Sequence, residues 1–275
     1  TALIIYTSGT TGAPKGVEIS FQNMFAQLEG VEDALDSILG GKKVTVLSIL
    51  PMNHLFEMTV GFSIFLSMGF SVYYAKSLKP KDILGIMREK RVEFMIVVPA
   101  FLKLLKTGIE TELATAPKFV QVIFNLMFNI AKFIPFYSVK KAMFKKIHDK
   151  FGGHFMGCIS GGAPLDVEVG RFFETIGIKV YQGYGLSETS PVVSVNYDKR
   201  NDIASVGRPL KGFEARVDKG LVRFSFITSN SAVRTILNKF KKSDIIVTDR
   251  LHGMLFGYIT NTKCIAFDNL LFCKL

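Results

Sequence analysis

The stretch that decides the fold is "GGHFMGCISGGAPLDVEVGRFFETIGIKVYQGYGLSETSP", Gly152 to Pro191. A short apolar run, 156–159, stops at two glycines. Asp166 opens a helical pattern that reaches Thr175. A second apolar run, 178–182, follows and gives way to Gly-Tyr-Gly. Two brief apolar runs joined through a helix read as a β–α–β unit with parallel strands.

The same rhythm extends in both directions. Strand-like runs lie at 2–6, 44–49, 70–74, 94–98, 191–195, 213–217, 221–226, 244–248 and 264–267. Phe21, Met24, Phe25, Leu28, Val31, Leu35 and Ile38 recur at helical spacing. Pro80 and Asp82 start another helix, Ile83 to Lys90. Strands alternating with helices define an α/β fold with a largely parallel sheet flanked by helices. Met58 to Ala75 is free of charge but broken by Gly61, Ser63, Ser67, Gly69 and Ser71. It reads as a buried helix followed by a buried strand, Phe70 to Tyr74, rather than as a membrane span.

The 275 residues are 48% hydrophobic and 21% charged, which is ordinary for a globular chain. The net charge is +11. Residues 221–275 hold 8 Lys/Arg against 3 Asp/Glu, or +5, which leaves +6 for the first 220. A mildly basic chain suits anionic ligands or an anionic surface. No basic stripe interleaves with aromatics and no zinc pattern occurs, so nucleic acid is not an expected partner. Cys158, Cys264 and Cys273 are odd in number and form no CxxC, which favours a reducing, cytoplasmic setting.

Phe119 to Val139 is strongly apolar with a polar stripe at Gln121, Asn125 and Asn129, and a basic helix follows with Lys140, Lys141, Lys145, Lys146 and Lys150. Two readings fit. The pair packs as ordinary surface helices with solvated lysines, or 119–150 lies peripherally on the inner face of a membrane.

The chemistry gathers in a few loops. "TSGTTGAPKG", Thr7 to Gly16, follows the first apolar run. Small residues let backbone N–H groups converge on an anion. Thr7, Ser8, Thr10 and Thr11 add hydroxyls, and Lys15 adds a mobile cation. The Walker A pattern needs Gly before its Lys, and Pro14 stands there instead. In "YQGYGLSETSP", Tyr181 to Pro191, Tyr184 offers a flat face for a purine. Glu188 is a hard carboxylate suited to Mg²⁺, and Ser187 can donate to a phosphate.

"YTSGTTGAPKGVEIS", Tyr6 to Ser20, resembles the phosphate-loop signature of the acyl-adenylate-forming (AMP-binding) superfamily. The resemblance runs from residue 1 to about 220 and is nearest to long-chain fatty-acid–CoA ligases. It implies that Thr7, Ser8, Gly9, Thr10, Thr11, Gly12 and Lys15 surround the β- and γ-phosphates of ATP. It also implies nucleotide contacts for Tyr184, Gly185 and Ser187, where Ser187 replaces the family's usual Thr. "ISGGAPL", Ile159 to Leu165, matches the segment lining the adenine and acyl pocket, which maps onto Gly161, Gly162 and Ala163. "PMNHLFE", Pro51 to Glu57, matches the segment whose His borders the acyl carboxylate, here His54. "VGRPLKGFEARV", Val206 to Val217, matches a structural segment. The implied catalytic set is Lys15, His54 and Glu188, with Glu188 on the metal. The implied cofactors are ATP and Mg²⁺, with coenzyme A and a fatty acid as co-substrates.

The family pattern stops near residue 220. Its "TGD" segment, hinge and small C-terminal domain with a further Lys are not found after Lys219-Gly220. "SDIIVTDRLHGMLFGYITNTKCIAFDN", Ser243 to Asn269, instead resembles the C-terminal part of polysaccharide pyruvyl transferases, which implies that Arg250 and His252 lie near a donor site. The bare reading of that tail is a strand–helix–strand capped by Asp249. Two units are therefore expected: 1–220, a partial adenylating domain, and 221–275, a short Rossmann-like fragment, joined as a chimera. Three functions follow: a fatty-acid–CoA ligase, a non-catalytic remnant that binds ATP or acyl chains, and a glycan pyruvyl transferase.

Overall fold

The structure is a computed structural model that describes residues 1–7, 14–197, 201–218 and 221–226. Strands β1 (Leu3–Thr7) and β2 (Lys15–Ile19) form an antiparallel hairpin with Thr7 opposite Lys15. Helix α1 (Phe21–Leu39) follows directly. Ser20 caps it through a reciprocal pair: the Asn23 N–H donates to Ser20 Oγ at 3.1 Å, and the Ser20 N–H donates to Asn23 Oδ1 at 2.9 Å. Gly40 ends it in the left-handed region at φ 63°.

Next come β3 (Thr45–Ser48), a π-helical segment (Glu57–Ile64), α2 (Phe65–Ser67), β4 (Ser71–Tyr74) and α3 (Pro80–Glu89). They are followed by β5 (Phe94–Val97), α4 (Pro99–Thr115), α5 (Lys118–Ala131), α6 (Tyr137–Met143) and α7 (Lys145–Lys150). The chain then runs through β6 (Gly157–Ser160), α8 (Val167–Thr175), β7 (Lys179–Gly185), β8 (Val192–Val195), β9 (Arg208–Pro209), β10 (Phe213–Asp218) and β11 (Leu221–Phe226).

The main sheet has seven strands in the order β4-β3-β5-β6-β7-β8-β9. β4, β3, β5, β6 and β7 are mutually parallel, and β8 and β9 run antiparallel at one side. The expected α/β architecture is thus the observed one. Alternate residues of each strand face opposite sides. Leu47, Met95, Cys158 and Val180 join one core with Ile83, Leu102 and Phe173 from the helices. Val46, Phe94, Ile96 and Ile159 join the other with Leu35 from α1 and Ile64 and Phe65 from the π-helical region. Burial on both faces explains why these strands read as unbroken apolar runs.

Three expectations need correction. β4 is not a buried strand: it is the outermost strand of the sheet, paired only with β3, and Tyr73 and Tyr74 reach solvent. The basic segment is two short helices, α6 and α7, that meet at Phe144. The apolar segment before it ends as a helix at Ala131, ahead of the turn containing Pro135. Apart from these three, the residues flanking position 220 belong to β10 and β11, with Asp218 paired with Leu221. The strand runs at 244–248 and 264–267, together with Asp249, Arg250 and His252, lie outside the described residues.

The chemistry-bearing loops leave the same edge of the sheet. Parallel strands deliver their C-terminal ends together, which is where open α/β sheets bind ligands. The segment after β3 carries His54 and Phe56, the turn after β6 carries Gly161 to Leu165, and the end of β7 carries Tyr184 to Glu188.

Phe173 is fully buried, with its ring 5.4 Å from that of Phe172 in an edge-on contact. Phe173→Ala should cost about 3–5 kcal/mol in urea unfolding, against about 1 kcal/mol for removing the α8 cap in Asp166→Ala. Equal losses would show that the helix-face core is looser than its packing implies.

Candidate functional site

The β1–β2 hairpin brings its Thr7–Lys15 end toward the site. Thr7 is buried at the last position of β1, and Lys15 is exposed at the first position of β2. Ser8, Gly9, Thr10, Thr11 and Gly12 lie outside the described residues. β2 packs against the 3-10 turn Ser187–Thr189. Sequence positions far apart, Lys15 on β2 and the Glu188 turn, are therefore brought together.

Glu188 is half-buried. Burial raises its carboxyl above the ordinary carboxylate range, while its own backbone N–H and the positive charge of Lys15 pull the other way. The Glu188 carboxylate, in the turn just beyond β7 and within reach of the charge of Lys15, is a group that could hold a metal. Among the described residues no group of three or more His, Cys, Asp or Glu forms a cation cage. Mg²⁺ often takes one or two carboxylates and fills its remaining positions with phosphate oxygens and water. Glu188 as a lone carboxylate fits that donor set.

The turn is shaped by its own hydrogen bonds. Thr189 Oγ1 accepts from the Leu186 N–H at 2.9 Å and lies 2.7 Å from the Pro191 carbonyl. The Leu186 N–H also approaches the Pro191 carbonyl at 2.9 Å. Ser190 sits at φ 74°, a left-handed conformation uncommon for a non-glycine residue. A methyl group on Gly185 would fall inside the Pro191 carbonyl, so the close strand approach demands glycine there. Tyr184 is half-buried just before it, at the irregularity where β7 and β8 shift register.

Gln27 clamps this turn to α1. Its amide nitrogen donates to the Val192 carbonyl at 2.8 Å and to the Thr189 carbonyl at 3.3 Å. Its amide oxygen accepts from the Val192 N–H at 2.9 Å. Gln27 is fully buried and was not anticipated from sequence. The available signal was a polar residue on the otherwise apolar stripe of α1, beside Met24, Leu28 and Val31.

Gln182 performs a similar service one strand earlier. Its Oε1 accepts from the Leu165 N–H at 2.9 Å, and its Nε2 donates to the Ser205 carbonyl at 3.0 Å. The glycine turn after β6 is thereby tied to β7. Gly161 is buried under the Phe56 ring: an added Cβ would lie 2.8 Å from it. Gly162, at φ 79°, and Ala163 are exposed. Phe56 thus joins the segment after β3 to the glycine turn. His54, in the same segment, is exposed, while its carbonyl accepts from the Met58 N–H at 3.0 Å.

Glu57 is the most perturbed acid near this edge. It is fully buried at the start of the π-helical segment, with Ser48 Oγ donating to its Oε1 at 2.5 Å. Its Oε2 is buried without a hydrogen-bond partner. Loss of hydration pushes the carboxyl up to about 7, against the smaller opposing effect of the Ser48 bond. Gly61 leaves room for it, since a Cβ there would overlap the carboxylate.

A family model described as "AMP-binding enzyme" matches residues 1–222, and one described as "Polysaccharide pyruvyl transferase" matches residues 179–270. The probable acyl-activating enzyme 16 of Arabidopsis thaliana is 31% identical over 256 residues, covering 78% of this chain and 34% of that protein. The long-chain-fatty-acid–CoA ligase FadD15 of Mycobacterium tuberculosis is 28% identical over 235 residues, with 78% and 38% covered. The chain therefore spans about a third of the length of these relatives. Among solved structures, a long-chain-fatty-acid–CoA ligase from Archaeoglobus fulgidus matches with TM-score 0.58 at 18% identity, covering 82% of this chain and 42% of that one. A malonyl-CoA ligase holding methylmalonyl-CoA and AMP matches with TM-score 0.59 at 21% identity, with 85% and 46% covered. At these identities the structural matches establish the fold.

Because the Glu57 carboxyl is raised in the folded state, that state binds its proton more tightly than the unfolded chain does. Stability should fall as pH rises from about 5 to about 8, by at most about 3 kcal/mol. In Glu57→Gln that slope should flatten in pH-dependent unfolding; an unchanged slope would assign it to other groups. Gln27→Leu fills the same space but strands the Val192 N–H and two carbonyls. It should cost at least about 2 kcal/mol and raise amide exchange over residues 186–192 above that of β5.

Proposed function

The chain belongs to the AMP-binding enzyme family, and on that premise we propose that it serves the ATP-dependent activation of a long-chain fatty acid, through an acyl adenylate toward acyl-CoA. The observation that supports this most directly is the approach of β2 to the 187–189 turn, with the charge of Lys15 felt at Glu188. The long-chain ligases among the relatives support the choice of acid.

A carboxylate is a poor electrophile. One of its oxygens attacks the α-phosphorus of ATP, the bond to the bridging oxygen breaks, and pyrophosphate leaves with the electron pair. The thiolate of coenzyme A then attacks the acyl carbon and AMP departs. In this reading Lys15 neutralises charge on the phosphates, and the 8–12 loop supplies hydroxyls and backbone N–H groups. Tyr184 offers its face to the adenine, while Gly161, Gly162 and Ala163 leave the nucleotide and acyl group close to backbone. His54 borders the acyl carboxylate. Mg²⁺, when bound with the nucleotide, would lean on Glu188 and screen the triphosphate. The protein's part is positioning and electrostatic stabilisation.

A second reading rests on the match of residues 179–270 to polysaccharide pyruvyl transferase, with Arg250 and His252 beside a phosphoenolpyruvate donor. Residues 179–222, claimed by both descriptions, include β7 to β10 and the Glu188 turn.

ATP–pyrophosphate exchange dependent on palmitate decides between them. Exchange should be present in the chain and fall at least about a hundredfold in Lys15→Ala. ATP binding without exchange would make the chain a nucleotide-binding remnant. Pyruvate transfer from phosphoenolpyruvate to a glycan, without exchange, would establish the second reading.

A further inference from the structure

Helix α5 is apolar on two sides. Its inner side is well packed: the Phe128 ring lies 5.6 Å from Phe172, and Phe124 lies 5.5 Å from Phe144. Its outer side carries Phe119, Val122, Leu126 and Ile130, each between 49% and 66% exposed. The spacing of three and four puts these side chains on one helical stripe. The stripe continues past the helix in Phe133, 87% exposed, and Phe136, 66% exposed. Six large apolar side chains in one open row exceed the scattered exposure usual on a soluble surface.

The charge around this row is one-sided. No acidic residue occurs between Glu112 and Asp149. Residues 118–150 hold seven lysines against that single aspartate, so a net +6 of the chain's +11 lies in this segment. Lys118, Lys132 and Lys146 are exposed, and among the described residues none of them is in an ion pair. Lys132 stands between Ile130 and Phe133 in the row itself and reaches Asn129 Oδ1 at 3.0 Å. Aromatic and aliphatic side chains interleaved with unpaired lysines are what a lipid headgroup boundary accommodates, with the apolar atoms immersed and the ammonium groups at the phosphates. Among the described residues no helix is long and apolar enough to cross a membrane, so the row lies along such a surface rather than through it.

We propose that the α5 row from Phe119 to Phe136, with Lys118, Lys132 and Lys146, docks this chain on an anionic lipid surface. The proposal does not depend on the reaction assigned above. The segment is held firmly enough to act as a platform. Lys140 Nζ donates to the Glu174 carbonyl at 3.1 Å, and His148 Nε2 meets the Ile176 carbonyl at 2.8 Å. The Tyr137 ring lies under the ammonium groups of both Lys140 and Lys179, at 5.3 and 5.2 Å.

The chain has no tryptophan, so Leu126→Trp places a single indole reporter in the row. Vesicles of phosphatidylcholine with about one-third phosphatidylglycerol should float the chain and shift the indole emission to the blue. Vesicles of phosphatidylcholine alone should bind at least about tenfold more weakly. The double variant Phe133→Ser with Phe136→Ser, in chain that keeps its far-ultraviolet circular dichroism, should bind the anionic vesicles at least about tenfold more weakly. Lys132→Glu with Lys146→Glu should lose a similar factor, and added salt should weaken the parent. No flotation with anionic vesicles would overturn the proposal. So would binding that the serine pair leaves unchanged, or a dimer in sedimentation that the serine pair dissolves, which would give the row to a second copy of the chain.

Discussion

The arrangement of the candidate site depends on one buried amide. Gln27 has no hydration in the folded chain, so its donors and acceptor must be satisfied by protein. It finds both the N–H and the carbonyl of Val192, plus the Thr189 carbonyl. That fixes the turn between β7 and β8 relative to α1, and α1 is continuous with β2 through the Ser20 cap. The position of Lys15 relative to Glu188 is a consequence of that clamp. Were Gln27 apolar, the turn would lose its side-chain hydrogen bonds to α1 and keep only the apolar contact of Val192 with that helix's buried face.

A second tie works at the glycine turn. Gln182 binds it from β7, and Phe56 covers Gly161 from the segment after β3. Three loops that come from separate strands are thus connected by two glutamines and one ring. Each tie joins backbone to side chain or ring to backbone, which leaves the exposed groups, Lys15, His54 and Ala163, free of structural duty. Glu57 is a different case. It is buried behind the same segment, with one oxygen held by Ser48 and the other unpartnered. Its raised carboxyl keeps a proton near neutral pH, which lessens the cost of that open valence.

Much of this was legible beforehand. The alternation of apolar runs and helical stripes in residues 152–191 sufficed for the α/β sheet, because parallel strands buried on both faces carry no competing polar period. The residue types of the Thr7–Gly16 and Tyr181–Pro191 segments pointed to phosphate and metal chemistry, and to that reading the described residues add the charge of Lys15 felt at Glu188. The edge position of β4 was not. Phe70 to Tyr74 has the composition of an interior strand, and only the order of the sheet decides that its tyrosines face water. The break between α6 and α7 was missed for a related reason: lysines on a surface tolerate either one helix or two, and the buried ring of Phe144, where the helices meet, settles it. Gln27 and Gln182 were missed because a buried glutamine and an exposed one are the same letter until their partners, up to 165 residues away, are in place.

The pairing of Tyr137 with Lys179 has one more consequence. Lys179 is the first residue of β7, and Gly185, at the site, is the last. The α6 segment is therefore fastened to the far end of the strand whose near end forms the Tyr184–Glu188 turn. A seven-residue strand is about 20 Å long, and β7 is stiffened by β6 on one side and β8 on the other. It is a spacer of fixed length. What settles against the α6 anchor at Lys179 is thereby held one strand-length from the Tyr184–Glu188 turn, so the two ends of β7 can be occupied without obstructing one another.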